Sequence, residues 1–324
     1  MISAFALPDP KSYVAHALHR DGRAFPETNC YSDVWIELLH ALGLDPIAAL
    51  SFTLAVDFEG DQWTFYKYAL PEVWDLYGLD TQELNVWRGP LTCVVEQLAR
   101  GRVVLIEVDA YYLPDTAATN YHHDHLNKTT IGVQAIDADG KRMRYFHGPG
   151  YFELEGDDFV GALHVGRGTE DYLVPYVEYV KLERMVNRPG DELRARAVRQ
   201  LADNLRRRPA QNPFIAFRKR FPADLDWLRG EPAQFHPYAF ATLRQFGSCY
   251  DLSATFLRWL EARGEKDLAP AAAAFDDIAG TAKVVQMKLA RFAAGKKPFD
   301  ATEMMDVMER SWDSAMALLD SRYR

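Results

Sequence analysis

Cys30 stands in the run Thr28-Asn29-Cys30-Tyr31-Ser32-Asp33, and Val34, Trp35, Leu38, Leu39 and Leu42 follow at helical spacing before Gly43. That pattern predicts an apolar helix capped by Thr28 or Asn29, with the thiol on its first turn. Unpaired N–H groups of a first turn and the helix dipole favour thiolate over thiol, so the position suits a nucleophile. The competing reading is a small buried core residue, because free cysteine is among the most buried residue types. A nucleophile needs a base, and further along the chain His122, His123, Asp124 and His125 gather beyond an apolar run at 102–108. An imidazole beside a thiol is the pairing that cysteine nucleophiles use.

These groups need elements to hold them. The run at 102–108 reads as a central strand. The loop at its carboxyl end carries Asp109, Tyr111, Tyr112 and Asp115 as well as the histidines, and loops held by a rigid strand commonly carry function. Residues 129–136 and 141–146 read as a hairpin with a tight turn at 137–140. His147 then lies near the end of the second strand, and antiparallel pairing brings His125 and His147 toward one edge of the sheet. A helix cysteine, a histidine at the start of an antiparallel strand and an orienting residue follow one another as in papain-like cysteine enzymes. This order favours His125 as base over His16, His19, His40 and His164, with His122 and His123 as rivals. The bland alternative is that these histidines only hydrogen-bond within a polar loop. His122, His123, Asp124, His125 and Asp115 also suggest a divalent metal, but their spacing matches no zinc pattern and adjacent side chains on an extended loop diverge, so no metal is expected.

The 324 residues, 48% hydrophobic and 13% aromatic, suffice for a large core. A net charge of −9 argues against a nucleic-acid binder. Cys30, Cys93 and Cys249 have no paired spacing, so neither a disulfide framework nor a zinc ribbon is expected and a reducing compartment fits. No apolar run reaches membrane-spanning length and the start has no signal-peptide pattern, so the expectation is a soluble cytoplasmic protein without membrane contact. Helical patterns take over at 192–207, 212–221, 238–246, 248–263, 268–295 and 301–319. The expected organisation is therefore an α+β domain over 1–175 and a helical domain over 176–324, divided in the Pro- and Gly-containing stretch at 166–190. Arg194, Arg196, Arg199, Arg206, Arg207, Arg208, Arg218, Lys219 and Arg220 concentrate on the first helices of this second half. A solvated helix face is the ordinary reading, and a docking patch for an acidic protein or a phosphate-bearing arm is the functional one.

Glu27 to Asp33, Gln82 to Arg88, Glu107 to Thr116, His125 with Lys128-Thr129-Thr130-Ile131, Tyr145-Phe146-His147 and His236 to Gln245 together resemble a bacterial family of unknown function, number 1839 among such domains. A more distant similarity, carried by Cys30 on a helix, Val108 to Pro114, the histidine cluster before a strand ending in Asp137 and the helical second half, is to acyltransferases of the butirosin-biosynthesis protein H type. That similarity implies a papain-like fold with an antiparallel sheet and N-terminal cysteine helix. It also implies transfer of an acyl or aminoacyl group from the phosphopantetheine arm of an acyl carrier protein to a small-molecule amine, with no other cofactor. Carried over, Cys30 is the nucleophile and His125 the base. His147 sits where that family has an aspartate as orienter, so Asp109 and Asp137 are rivals for the third role. Asn29, Asp109, Tyr111, Tyr112, Asp115, His122 and His123 are then expected around the substrate. The alternatives are a hydrolase of the same architecture, a peptidase or amidase, and a non-catalytic binding module.

Overall fold

Strands lying between residues 2 and 181 build one antiparallel sheet. In the computed structural model, which describes residues 1–20, 22–295 and 300–324, the strands are β1 (Ile2–Ser3), β2 (Asp80–Glu83), β3 (Val103–Asp109), β4 (Lys128–Asp137), β5 (Arg142–His147), β6 (Gly150–Glu155) and β7 (Val177–Lys181). Their order is β2-β7-β3-β4-β5-β6, and β1 pairs beside the end of β4 at Ala135 and Ile136. Helices α1 (Cys30–Ala41), α2 (Leu70–Tyr77), α3 (Pro90–Leu98) and α4 (Gly156–Ala162) accompany the sheet. The remaining helices are α5 (Gly190–Arg207), α6 (Pro213–Gly230), α7 (Phe235–Ala239), α8 (Gln245–Ala262), α9 (Ala269–Ala293) and α10 (Thr302–Tyr323). The protein is α+β, with an open antiparallel sheet and a helical C-terminal region.

The chain divides into two compact units. One comprises residues 1–20, 29–46 and 73–187, and the other 21–28, 47–72 and 188–324. Two short stretches of the first half thus belong with the helical unit. Conversely β7, which the reading of the chain assigned to the helical half, lies within the sheet between β2 and β3. Its apolar pattern is broken by Glu178, which is buried and accepts hydrogen bonds from Tyr31 Oη at 2.8 Å and Tyr176 Oη at 2.7 Å. A buried carboxylate satisfied by Tyr31 of α1 and by Tyr176 two residues before it interrupts the local strand signal.

In the sheet unit, Val104, Ile106 and Val108 of β3, Ile131 and Val133 of β4 and Tyr145 of β5 form a core with Val94 and Leu98 of α3 and Phe159 of α4. Alternation puts Thr130 and Gly132 on the opposite face of β4, where α1 lies. Gly132 is a close-approach position, since a Cβ there would stand 2.9 Å from Val34 Cγ1 of α1. Beneath α1 the sequence hides a charge cluster. His19, in a short 3-10 turn (Ala17–His19), places Nδ1 2.5 Å from Glu37 Oε1 and Nε2 3.2 Å from Asp33 Oδ1, and Tyr13 Oη donates to Glu37 Oε2 at 2.6 Å. Burial alone would lower the His19 pKa, but hydrogen bonds to Asp33 and Glu37 outweigh it and raise the imidazolium to about 9.

In the helical unit α8 packs on α9 and α9 on α10. Trp63, Phe214, Phe217 and Phe246 form its aromatic core, with Trp63 and Phe246 ring centroids 4.8 Å apart. A π-helical turn (Phe240–Arg244) joins α7 to α8.

Two outcomes are expected. The His19 pKa is raised on folding, so its contribution to stability is complete below the ordinary value near 6.5 and disappears as pH rises through about 9. Unfolding free energies from denaturant titrations should fall across this window by on the order of 3 kcal/mol, and His19→Gln should flatten that slope; an unchanged slope would remove the cluster as its cause. Gly132→Ala should destabilise the protein by about 1–3 kcal/mol through separation of α1 from β4, measured as a loss of thermal or denaturant stability.

Candidate active site

Cys30 is the first residue of α1. Asn29 is extended (φ −135, ψ 155) and its side chain accepts from Ser32 N at 3.0 Å, so Asn29 caps the helix. Cys30 is partly exposed and its Sγ donates to Thr130 Oγ1 at 3.8 Å. Among the described residues no histidine is hydrogen-bonded to that sulfur. The other thiols differ in setting. Cys249 is fully buried and donates to the Thr53 carbonyl at 3.1 Å, and burial pushes its pKa well up. Burial also raises the pKa of Cys93.

The β3–β4 connection is a compact loop whose ends are closed by the register Asp109↔Lys128 and by Ala110 N donating to Asn127 O at 2.9 Å. One carboxylate organises its neck. Asp109 accepts from Leu126 N at 2.9 Å, Tyr111 N at 3.1 Å and Asn127 N at 3.3 Å, and meets His125 Nδ1 at 3.1 Å. Burial would raise the Asp109 pKa, but these N–H groups and His125 hold it below the usual carboxylate value. The His125 ring stacks on Tyr111 with centroids 3.7 Å apart, and its side chain is 55% exposed. Nε2 has no hydrogen-bond partner among the described residues. An imidazole with Nδ1 oriented by a carboxylate and Nε2 open is arranged to accept a proton. The register also matters for Cys30. Glu107 pairs with Thr130 and Asp109 with Lys128, so Asp109 leaves β3 on the face where Thr130 meets Cys30, about 7 Å further along the strand.

The other expected site residues separate into distinct settings. His122 Nε2 meets Asp158 Oδ1 at 2.7 Å and its ring stacks on Tyr121, which donates to Asp158 Oδ2 at 2.8 Å. His123 is exposed. Tyr112 lies against α4, where a Cβ on Gly161 would fall 2.1 Å from the phenol ring. His147 is bonded through Nδ1 to Asp115 Oδ2 at 2.5 Å and through Nε2 to Thr129 Oγ1 at 2.8 Å. Thr129 and Thr130 are adjacent in β4 and point to opposite faces, so His147 and Cys30 are not brought together. Asp137 lies at the far end of β4 and accepts from Gly140 N at 3.0 Å in the hairpin turn. It is a turn residue, which removes it as an orienter of His125.

Among the described residues no three histidine, cysteine or carboxylate groups converge to hold a metal ion, and no helix is long and apolar enough to cross a membrane. The basic run on α5 and α6 is largely neutralised within its own unit. Arg194 meets Asp191 and Glu265, Arg196 meets Glu192, Arg206 Asp203, Arg207 Glu72, Arg208 Asp320, Arg218 Asp306 and Glu309, and Arg220 Asp224. Only Arg199 and Lys219 of that run lack a carboxylate partner among the described residues.

Sequence reasoning missed Thr130, one β-branched residue within a strand and yet the neighbour of the sulfur. It also passed over His164, whose backbone is left-handed (φ 49) and whose Nδ1 is buried without a hydrogen-bond partner among the described residues. That ring stacks on Tyr172 at 4.0 Å, and burial followed by the charge of Arg167 pushes its pKa down. A left-handed non-glycine residue has no sequence signal of its own. In native protein a thiol reagent should label Cys30 before Cys93, and Cys249 only on unfolding, as read by peptide mass mapping; early labelling of Cys249 would contradict the burial described.

None of the curated proteins compared matches the chain. The DUF1839 N-terminal domain matches residues 14–182 and the DUF1839 C-terminal domain matches residues 190–321. These matches span both the sheet-bearing and the helical parts, and the chain belongs to the DUF1839 family.

Proposed function

We propose that the protein is a cysteine-dependent acyltransferase of papain-like architecture, moving an acyl or aminoacyl group from a carrier-bound thioester to an amine in small-molecule or nonribosomal biosynthesis. The observation that carries this reading is Cys30 at the capped start of a buried helix, at the sheet end where Asp109 orients a half-exposed His125 with Nε2 open. In the first step His125 Nε2 takes the thiol proton and Sγ attacks the thioester carbonyl. The pantetheine thiolate leaves and receives that proton from the imidazolium. In the second step the amine attacks the Cys30 thioester, its proton passes to His125, and the Cys30 thiolate leaves. N–H groups at the start of α1 are the natural donors to the oxyanion. The sulfur now donates to Thr130, so the reading requires closure of the 110–127 loop to bring His125 onto it. Such loops open and close in the free protein as well, so the closed pair is part of its resting ensemble. The paired arginines of α5 and α6 give no support to carrier docking there.

Thr130 beside the sulfur favours one other reading, a binding module that keeps the fold without catalysis. A hydrolase differs from the transferase only in accepting water in place of the amine. Incubation with acyl- and aminoacyl-pantetheine thioesters, followed by intact mass, separates the three. The expected result is an acyl adduct on Cys30 that is discharged by an amine. Cys30→Ala should abolish the adduct and reduce turnover by at least about a thousandfold. Discharge by water alone would indicate the hydrolase, and no adduct with any thioester would indicate the binding module.

A further inference from the structure

The expected catalytic role of His147 conflicts with its bonding, because both ring nitrogens are engaged. Nδ1 donates to the carboxylate oxygen Asp115 Oδ2 at 2.5 Å, and Nε2 is hydrogen-bonded to Thr129 Oγ1 at 2.8 Å. The imidazole side chain is 12% exposed and the Asp115 carboxylate 6%. No ring nitrogen is left for a substrate proton, in contrast to His125. The second oxygen of Asp115 accepts from Tyr145 Oη, and burial followed by the Asp115 charge raises the pKa of that phenol. Two side chains of β5 therefore converge on one carboxylate that belongs to the loop.

The loop is built outward from this carboxylate. Asp115 sits in a 3-10 turn (Pro114–Thr116) next to Leu113, which is fully buried. Thr116 Oγ1 donates to Leu113 O at 2.8 Å and Ala110 O at 3.2 Å, and Thr116 O accepts from Thr119 N at 2.8 Å and Asn120 N at 2.9 Å. His122 N then donates to Tyr111 O at 3.0 Å, and Tyr111 carries the stacked His125 ring. The only other carboxylate tying the loop body to a packed element among the described residues is Asp158 of α4, through Tyr121 and His122.

We propose that Asp115, gripped by His147 and Tyr145, is the anchor that sets the 110–127 loop against the sheet, so that Asp115 and His147 are positioning residues acting through Asp109 and His125. The effect on Cys30 rests on the acyltransferase reading; the anchoring of the loop does not.

The test uses His147→Ala, His147→Asn, Asp115→Asn and the full-length protein. Asn at 147 can replace the Nδ1 donor toward Asp115, whereas Ala cannot. Asp115→Asn keeps the carboxyl shape if the alanine variant does not fold. Hydrogen exchange of the Tyr121, His122, Leu126 and Asn127 amides should be faster by about tenfold or more in His147→Ala and Asp115→Asn, with Val133 in β4 unchanged and His147→Asn close to wild type. In the same variants the pH midpoint of Cys30 alkylation should move toward that of an ordinary thiol and be restored in His147→Asn. Wild-type exchange in the loop of a folded His147→Ala or Asp115→Asn protein would overturn the anchor, whatever Cys30 does. An ordinary Cys30 midpoint in the wild type, with loop exchange still raised in the variants, would instead leave the anchor standing and remove the acyltransferase reading.

Discussion

The antiparallel register of β3 against β4 is the constraint on which the rest of the sheet unit depends. Pairing Asp109 with Lys128 closes the 110–127 loop at its neck and directs the Asp109 carboxylate to receive the N–H groups of Tyr111, Leu126 and Asn127. The same register points Thr130 and Gly132 at α1 and Ile131 and Val133 at the core beneath α3 and α4. A one-residue slip would exchange these faces, turning Thr130 into the apolar core and removing the glycine that admits α1.

Buried charge is the second theme of this unit, and it is tied to α1. Asp33 and Glu37 lie on the helix that begins with Cys30 and share His19 between them, while Tyr31 holds Glu178 of β7. Breaking one partner of such a group leaves an uncompensated charge, which costs far more than the assembled group contributes. Strict seating of the helix is the structural consequence. It fixes the first turn, and so the position of the sulfur, independently of anything the loop does.

Much of this was legible in the sequence wherever the signal is local. The α1 helix was announced by apolar spacing after Asn29 and by Gly43, β3 by its continuous β-branched run, the β4–β5 hairpin by Asp137 to Gly140, and the helical region by its periodicity. The loop at the end of β3 was recognised as the place where ionisable groups collect, and His147 was placed at the correct edge. The misses share a physical cause, in that they depend on partners distant in the chain. β7 carries Glu178, buried against Tyr31 of α1, and short stretches of the first half join the helical unit. The basic run of α5 and α6, read in the ordinary way as a solvated helix face, is not among them: it is paired partly with acids three or four residues away, Asp191, Glu192, Asp203 and Asp224, and partly with acids of α2 and α10. That His147 and Cys30 lie on opposite faces follows from the facing of Thr129 and Thr130 in one strand, which chain order alone does not convey.

The central claim is that Cys30 is a nucleophile activated by His125, and its most direct test is the pH dependence of Cys30 alkylation in the intact protein and in His125→Ala, with Cys30→Ala used to subtract Cys93 and Cys249. The account predicts a midpoint well below the ~8.5 of an ordinary thiol, lost in His125→Ala. An ordinary midpoint indifferent to His125 would contradict it, leaving Cys30 the neighbour of Thr130 and the fold a binding module.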